Sequence, residues 1–414
     1  MINEGGKAIG SDGFRAEPPG RIWISGVGIC CSLGNAPAQV AAAIWNGRGK
    51  VVGRDLAGRK VFHHDVEDPD IDRHIRERKD RRLLSRLMEL GVYAAGEALA
   101  AANIGGEQAR DIHIRIATDN GERPVDTDSK IISAIRELGT DPGLINGLMM
   151  RLSRSTRVLS ELPNMLSANI GVAFGIDGSS RTFIGGAVAG AHAIRSAIQK
   201  LDRDHDGVCL VGGAFNAAKV DMLLSHIVGT ERRRRSHAHQ ALDDPGVLGT
   251  AAAFLVLEQE DGARRRGAPF FGYITDFGLV PPESGAHGEA TEVSRGPRTR
   301  LVCRELQESP EWTGGSVETG AVVESNVEAR RSGVAVECTI DLEERLGDCG
   351  EASVPLALAI GACMFAPETR TMDAVGEEDD DGGRPQSRLV SISSVSDLGE
   401  AGTSYFSISG AGAR

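Results

Sequence analysis

The sequence predicts an α/β protein whose strands form mostly parallel or mixed sheets. Short stretches of apolar and β-branched residues alternate with helical stretches in both halves of the chain, a pattern typical of this class. The length of 414 residues allows two domains or one large double domain, and a hydrophobic fraction of 41% allows an ordinary packed core.

The first half of the chain carries most of the expected elements. A Gly- and Pro-rich flexible leader is expected over residues 1–20, and the polar interval from Arg48 to Arg78 is expected to be a long surface excursion. An amphipathic helix is expected within residues 79–104, where Leu and Ala recur on one side. The sequence further predicts helices at 35–47 and between 119 and 160, and strands near 22–29, 112–118, 207–216, 251–257 and 269–277.

The second half continues the alternation of helices and strands. The sequence predicts a helix near Arg298 to Leu306, a strand at Gly320 to Ser325, an apolar helix from Ser353 to Phe365, and final strands near 389–394 and 404–409. The acidic segment at 376–386, GEEDDDGGRPQ, is too charged and too rich in Gly to be buried, so a flexible loop is expected there.

One stretch, from Glu161 to Ile194, organises the rest of the chain. It reads as a helix, a turn at 177–180, a buried strand at 181–184, a corner of small residues and a helix from about 188 to 201. A strand that turns sharply into a helix is the architecture of a nucleophile elbow, where the helix N-terminus stabilises an anion. The corner holds Gly185, Gly186 and Ala187, and none of them carries a nucleophile. The stretch is therefore either an active site or the remains of one.

Charge and composition exclude several classes of function. The formal net charge of -12 argues against a general nucleic-acid binder. No apolar run reaches the roughly 18–20 residues that a membrane span needs, and no signal peptide is visible, so a cytoplasmic protein is expected. The seven cysteines show no CxxC spacing, and His237 and His239 have no third ligand nearby in the sequence. No metal site is therefore expected.

Two runs of arginine are candidate docking sites for an acidic partner protein, and the alternative is a solvated face. They consist of Arg232, Arg233, Arg234 and Arg235, and of Arg264, Arg265 and Arg266.

Four blocks of sequence resemble the elongating β-ketoacyl-acyl carrier protein synthases, in the family's order and spacing. They are RIWISGVGICCSLGN, ELPNMLSANIGVAFGIDGSSRTFIGGAVAGAHAI, CLVGGAFN and VLGTAAAFLVLEQEDGARRRGAPFFGYITDFG. The resemblance implies a thiolase-like fold, in which two similar α/β halves form a five-layered αβαβα arrangement. The expected halves are residues 21–257 and 258–414.

The resemblance also implies that the catalytic residues of the family are missing. Active members carry a cysteine in a pattern like TACASG at the elbow, and this chain reads IGGAVAG, with Ala187 at the cysteine position. The family histidine in a motif like NAHGT corresponds to Asn326, within ESNVEA. The histidine in a motif like TGHLLGAAG corresponds to Glu351, within CGEASVPLA, and a carboxylate there would repel the enolate that the histidine stabilises.

The glycine-rich segment that gates the acyl pocket in the family reads LGEAGTS here. Gly399, Gly402 and Thr403 match the family pattern, and the two residues between the glycines do not. His192, within the elbow helix, is the nearest titratable side chain to the corner. It is expected either to pack in an interface or, if the chemistry has been relocated, to act as a base.

The leading hypothesis from the sequence is a catalytically silent synthase homologue. It would act as a structural or chain-length partner of an active β-ketoacyl synthase, as a heterodimer, or would form a homodimer. The resemblance implies acyl carrier protein as a further partner, whose phosphopantetheine would be the only cofactor, and it places residues 181–184 at the dimer interface. The alternatives are an acyltransferase that works without the elbow cysteine and a sensor that binds acyl chains.

Overall fold

The computed structural model describes most of the chain. The described residues are 21–45, 47–56, 58–75, 81, 84–122, 125–139, 141–152, 159–236, 246–280, 299–306, 336–364, 389–397 and 403–409. The expected leader (1–20), the expected strand at 320–325 and the expected acidic loop (376–386) lie outside these residues.

Helices and strands alternate along the described chain. The strands are β1 (Ile22–Cys31), β2 (Val51–Leu56), β3 (Arg59–His64), β4 (His113–Thr118), β5 (Ser180–Phe183), β6 (Val208–Phe215), β7 (Leu248–Gly249), β8 (Ala251–Gln259), β9 (Gly272–Val280), β10 (Thr299–Leu306), β11 (Val336–Asp341), β12 (Leu389–Asp397) and β13 (Thr403–Ser409). The helices are α1 (Pro37–Ala43), α2 (Arg86–Ala101), α3 (Val125–Leu138), α4 (Pro142–Leu152), α5 (Met165–Phe174), α6 (Ala187–Leu201), α7 (Val220–Ser236), α8 (Glu260–Arg266), α9 (Leu342–Leu346) and α10 (Ser353–Cys363). Short 3-10 helices lie at Ile71–Arg73, Gly106–Ala109 and Gly350–Ala352.

Ten strands form one sheet, in the order β11-β10-β12-β13-β9-β1-β8-β6-β4-β5. From the centre of this sheet outwards, the first half contributes β1, β8, β6, β4 and β5, and the second half contributes β9, β13, β12, β10 and β11. If the strands of this sheet are counted along the chain within each half, both halves have the same spatial order: first, fifth, fourth, second and third. The two halves differ in direction, because β4 is parallel to β5 and β6 whereas β10 is antiparallel to β11 and β12. The shared strand order shows two similar halves, a repeat that is not visible in the sequence.

Apolar packing arranges the elements in layers. One core cluster joins the first-half strands to the outer helices α2 and α5. The other surrounds α6 and α10 and includes Leu301, Ile340 and Ile408 from the second-half strands. The helix α10 contacts strands of both halves, so it lies with α6 between them. Among the described residues, the outer helices thus lie against the first-half strands and the central helices lie between the strands of the two halves, in agreement with the expected αβαβα arrangement.

Two glycines allow α2 to approach the central strand β1 closely. A Cβ atom on Gly26 would lie 2.2 Å from the carbonyl oxygen of Ala98, and one on Gly28 would lie 1.9 Å from that of Ala94. All ten residues of β1 are buried, as expected for the strand where the two halves join.

Three expectations from the sequence are wrong, two about the type of structure and one about burial. The segment near Arg298 to Leu306 is the strand β10, because β11 and β12 pair with it on both sides and override its weak helical spacing. The interval from Arg48 to Arg78 contains the hairpin of β2 and β3, and β3 pairs with β7. His63 and His64 are buried there, so the interval is not simply a surface excursion.

The strand expected to be buried at 181–184 is β5, whose first two residues and the following Ile184 are exposed because β5 is the last strand of the sheet. The other predicted elements that the structure describes agree in type and lie close to the expected positions, including the corner at Gly185, Gly186 and Ala187. The helices α7 and α9 and the strand β11 are not among the predicted elements. The proposed division of the chain after residue 257 stays a prediction; β8 continues to Gln259. Within the described residues, no helix is long and apolar enough to cross a membrane.

Candidate functional site

The residues that follow three neighbouring strands lie at one edge of the sheet. The strands β5, β4 and β6 are neighbours and run parallel, so their carboxyl ends meet on the same side. Asp119 follows β4, the glycine corner follows β5, and Asn216 and Lys219 follow β6. In open α/β sheets this edge is the common place for a ligand or an active site.

The corner after β5 has a backbone that favours glycine. Gly185 has φ of 137° and Gly186 has φ of 65°, both in the region that side chains with a Cβ rarely adopt. The helix α6 begins directly afterwards at Ala187, which is 7% exposed. The shape is that of a nucleophile elbow, and its first helical residue has only a methyl side chain.

Glu351 reaches this corner from the second half of the chain. It lies in the short 3-10 helix Gly350–Ala352 and is 5% exposed. Its Oε1 accepts a hydrogen bond from the backbone N–H of Gly186, at 2.9 Å. A negative side chain at the N-terminus of a helix is electrostatically favourable. The structure therefore brings together the two positions, Ala187 and Glu351, that the sequence singles out separately.

Close backbone packing fixes Glu351 beside the corner. A Cβ atom on Gly190, in α6, would lie 2.7 Å from the carbonyl oxygen of Glu351, and one on Gly213, in β6, would lie at the same distance. Pro355 also packs on Gly190. Small residues at these two positions thus let the segment that carries Glu351 lie against both the helix and the strand.

A buried ion pair completes the site. Lys219 Nζ donates to the carboxylate of Asp119 and to the carbonyl oxygens of Asn120 (3.1 Å) and Gly121 (3.0 Å). Burial raises the pKa of Asp119 to about 7; the positive charge of Lys219 opposes the rise, and the negative charge of Glu351 adds to it. We call Asp119, Gly186, Ala187, Lys219 and Glu351 the elbow cluster. Sequence reasoning missed Asp119 and Lys219, although a charged residue directly after an apolar strand was a signal.

Hydrogen bonds hold the loops of this edge in place. Asn216 Nδ2 donates to Glu122 Oε1 at 2.5 Å, and the same carboxylate accepts from the backbone N–H groups of Arg86 (3.1 Å) and Leu87 (2.8 Å). Glu122 thus satisfies free donors at the start of α2. The N–H of Ala217 donates to Thr250 Oγ1 at 3.1 Å. The elbow cluster therefore lies on a rigid frame.

The cluster has charge but no nucleophile suited to acyl transfer. Ala187 cannot attack, and Lys219 donates to three acceptors. Cys209, in β6, is fully buried, and burial raises its pKa to about 12, so its thiol stays protonated. Among the described residues no group of His, Cys, Asp and Glu side chains could hold a metal ion.

The other candidate residues are not members of the elbow cluster, or they lie outside the described residues. His192 is exposed on α6, so its side chain is not part of the buried cluster. Thr403 is the first residue of β13. Asn326, Gly399 and Gly402 lie outside the described residues. Arg232 to Arg235 lie in the last turns of α7.

The arginines of α8 bind carboxylates of the chain itself. Arg264 donates to Glu260 at 2.7 Å, and Arg265 pairs with Asp206. Arg266 donates to Glu258 at 2.7 Å, and the Glu258 carboxylate is buried. Arg266 therefore neutralises a buried charge, whereas Arg264 and Arg265 lie at the surface.

Comparisons with known proteins point to one family. Residues 20–263, more than half of the chain, match the family model described as "Beta-ketoacyl synthase, N-terminal domain". The 3-oxoacyl-[acyl-carrier-protein] synthase 2 of Vibrio harveyi is 22% identical over 294 residues, which cover 65% of this chain and 66% of that protein. The matched region is thus slightly less than two thirds of that relative's length.

Solved structures of ketosynthases are similar as well. A type II polyketide ketosynthase in complex with its acyl-carrier protein has a TM-score of 0.49 and 20% identity, covering 64% of this chain and 70% of that one. The ishigamide ketosynthase/chain length factor has a TM-score of 0.48 and 18% identity, covering 63% of each. The match to the family model decides the assignment: the chain belongs to the β-ketoacyl synthase family and has its thiolase-like α/β fold.

Proposed function

We propose that this protein is a catalytically silent β-ketoacyl synthase homologue that supports an active synthase as a structural or chain-length partner. One observation carries the proposal. The helix after the glycine corner begins at Ala187, the position that the family resemblance assigns to the nucleophile, and Glu351 Oε1 accepts the hydrogen bond of the Gly186 N–H beside it.

Condensation by the family's covalent route needs a thiolate at the elbow and donors for a developing oxyanion. Ala187 supplies no thiolate. A carboxylate on the Gly186 amide takes up a donor at the corner and adds negative charge where negative charge would develop. Lys219, which pairs with Asp119 beside the corner, already donates to three acceptors. It therefore has no further N–H to stabilise an oxyanion.

The surface of the fold supports a role in binding a partner protein. The strand β5 ends the ten-stranded sheet and has no neighbour on its outer side among the described residues. Ile184 and Val172, next to this edge, are 52% and 79% exposed. An unpaired strand edge flanked by exposed apolar side chains suits a partner subunit. Acyl carrier protein, docked by exposed arginines such as Arg265, would be the further partner.

The first experiment tests whether the chain is silent. The purified protein is incubated with acyl- and malonyl-carrier protein, and mass spectrometry measures the condensed product and any acyl-protein adduct. We expect neither above the level of a control without protein. Condensation at a rate comparable to that of an active synthase would overturn the proposal.

The second experiment tests the partner role. The chain is co-expressed with cysteine-containing β-ketoacyl synthases of its host, and the copurified complex and the product lengths are measured. We expect a one-to-one complex with one synthase and a changed product length or yield. Failure to bind or affect any of them would sink the partner role, whatever the outcome of the first experiment.

A second candidate function, acyl transfer or hydrolysis without the elbow cysteine, is favoured by a different set of residues. Ser179 Oγ lies 3.1 Å from His113 Nδ1, and His113 Nε2 lies 3.2 Å from Asp204 Oδ2. This is the order of a hydroxyl, a base and an orienting carboxylate. The backbone N–H of Ser179 also points at His113 Nδ1, at 3.2 Å, so the imidazole equally serves to fix the turn before β5.

In this second candidate, Ser179 Oγ would attack the acyl carbonyl and pass its proton to His113 Nδ1. The departing thiolate would then take that proton from His113 and leave as the thiol. Water, deprotonated by His113, would cleave the acyl–serine ester, which releases the acid and returns the proton to Ser179. The test is hydrolysis of acyl-carrier protein by the wild type, Ser179→Ala and His113→Gln, with an exposed serine variant, Ser180→Ala, as the matched control. Turnover lost in the first two variants alone would favour this candidate, and absence of turnover in the wild type excludes it.

A further inference from the structure

The outer edge of β5 carries an arginine without a counter-charge. Arg181 is the second residue of this four-residue strand, and its side chain is exposed. It forms no ion pair or hydrogen bond with a described residue. The strand is the last of the sheet, so a partner strand added there would pair directly with the backbone of Arg181.

A second arginine strengthens the positive charge at this edge. Arg115, on β4, is the register neighbour of Arg181, so both side chains lie on the same face of the sheet. Arg115 is buried and donates to Ser196 Oγ, Ser179 Oγ and the carbonyl oxygens of Ile114 and Ser179. None of these acceptors is a carboxylate, so the charge of Arg115 is hydrogen-bonded but not neutralised. Burial and the charge of Arg181 both lower the pKa of Arg115, and Cys209 acts in the opposite direction.

The carboxylates around this edge are engaged elsewhere. Asp177 pairs with Arg110 at 3.1 Å, and Asp204 pairs with Lys200 at 3.0 Å and contacts His113. The edge of β5 therefore presents net positive charge between the exposed apolar side chains of Val172 and Ile184.

A second copy of this chain is a poor partner for such an edge. Two identical strands that pair about a two-fold axis perpendicular to the sheet place each residue on the same face as its own copy. If the axis passes beside Arg181, the two Arg181 side chains lie directly opposite each other. If it passes beside Thr182, they are diagonal neighbours, roughly 7–8 Å apart. The two Arg115 side chains lie directly behind them. Like charges facing each other across strands are destabilising.

We propose that the β5 edge selects a different chain, one whose edge strand carries Asp or Glu opposite Arg181, over a second copy of this chain. The inference rests on the proposed partner function and names the chemistry of the partner. A groove of 610 Å³ lies on the other face of β5, between Thr182 and helix α5, where Ala168, Gly171 and Gly175 leave room for the partner's side chains.

The test uses the full-length chain itself as the acidic partner. Wild type and Arg181→Glu are purified with different isotope labels, and native mass spectrometry measures self-dimers and mixed dimers. We expect the mixed dimer to associate about fivefold more tightly than the wild-type dimer, because Arg181 then faces a carboxylate. Added salt should reduce this difference. The matched control is Arg203→Glu, an exposed arginine after α6, which should leave the mixed fraction statistical.

A second variant keeps the test independent of how Arg181→Glu folds. Arg181→Gln removes the repulsion without reversing the charge, and we expect it to self-associate more tightly than the wild type. The inference is overturned if the fraction of mixed dimers between wild type and Arg181→Glu is no larger than random association gives. It is also overturned if Arg181→Gln self-associates no more tightly than the wild type. If wild type and Arg181→Gln then bind a cysteine-containing synthase equally well, only the charge selection fails. If neither binds any synthase, the proposed function fails.

Discussion

The Glu351 carboxylate accepts a hydrogen bond from the N–H of Gly186, a residue 165 positions earlier in the chain. The bond joins the second half of the fold to the glycine corner, which the resemblance to the family assigns to the nucleophile. Since Glu351 is buried and its backbone packs on Gly190 and Gly213, the contact lies within the packed interior of the protein. Restoring a nucleophile at the elbow would therefore not restore the electrostatic conditions that a nucleophile needs.

Ala187→Cys should give a thiol that is less reactive than an elbow thiol normally is. The start of α6 lowers the pKa of a thiol, whereas the carboxylate of Glu351 and the buried Asp119 raise it. Adding Glu351→Gln removes one negative charge and should raise the rate of alkylation by iodoacetamide at pH 7 roughly tenfold, the effect of one pKa unit. The measurement is the rate of alkylation between pH 5 and 10.

Glu260→Gln in the Ala187→Cys background is the matched control, because Glu260 lies in α8 and contacts Arg264 instead of the elbow. It should leave the alkylation profile unchanged. Equal rates for Ala187→Cys with and without Glu351→Gln would show that Glu351 does not control the electrostatics of the corner.

Replacing Glu351 should also weaken the fold, because its carboxylate satisfies the amide at the start of α6. Glu351→Ala leaves the partly buried N–H of Gly186 without its acceptor and should cost about 1–3 kcal/mol of unfolding free energy. Glu351→Gln keeps an acceptor oxygen and should cost less. Urea denaturation followed by circular dichroism measures both values, and equal losses for the two variants would argue against the hydrogen bond as the cause.

The elbow could be predicted from the sequence because its signals are local. A short apolar strand, two glycines and a helix with small residues lie within one stretch of the chain, and the structure has the corner at Gly185, Gly186 and Ala187. The position of Glu351 beside it came from the family resemblance. Its contact with Gly186 could not be foreseen, since it depends on how the two halves pack.

The remaining errors have physical causes of the same kind. The strand β10 has a spacing of apolar residues compatible with a helix, and its two neighbouring strands decide its conformation. Charged residues and exposed Val51 and Phe62 obscure the strand pattern of the hairpin of β2 and β3, and the buried His63 and His64 pair with β7, which is distant in the sequence. Asp119 and Lys219 are 100 residues apart, and no motif connects them.

Lys219→Met should destabilise the protein in a pH-dependent way. The variant leaves the buried carboxylate of Asp119 without its counter-charge, which costs about 3–5 kcal/mol when the carboxylate is ionised. The pKa of Asp119 is already raised to about 7 and rises further without Lys219, so the carboxylate takes up a proton at pH 6 and the loss is smaller there. Unfolding free energies at pH 6 and pH 8 measure the difference.

The double variant Asp119→Asn with Lys219→Met is the control, because it has no ionisable group at either position. Its stability relative to the wild type should hardly change between pH 7 and pH 8. In the wild type the raised pKa means that the folded state binds this proton more tightly than the unfolded state. Asp119 should therefore make stability fall as pH rises from about 4 to about 7. A pH-independent loss in Lys219→Met would contradict the assigned pKa direction.

The buried histidines of β3 should act in the opposite sense. Both ring nitrogens of His63 and the Nδ1 of His64 lack a hydrogen-bond partner among the described residues, and burial lowers the pKa of both side chains. The unfolded chain binds protons at a pKa of about 6.5, so stability should fall by up to about 1.4 kcal/mol per pH unit for each imidazole below that pH. His63→Leu should lose less stability than the wild type between pH 7.5 and pH 5.5, whereas His205→Leu, an exposed control, should match the wild type. Urea midpoints at both pH values measure the difference between the variant and the wild type. The contribution of Asp119 cancels, because both proteins contain it. If His63→Leu and the wild type lose equal stability in acid, His63 is not buried as a neutral imidazole.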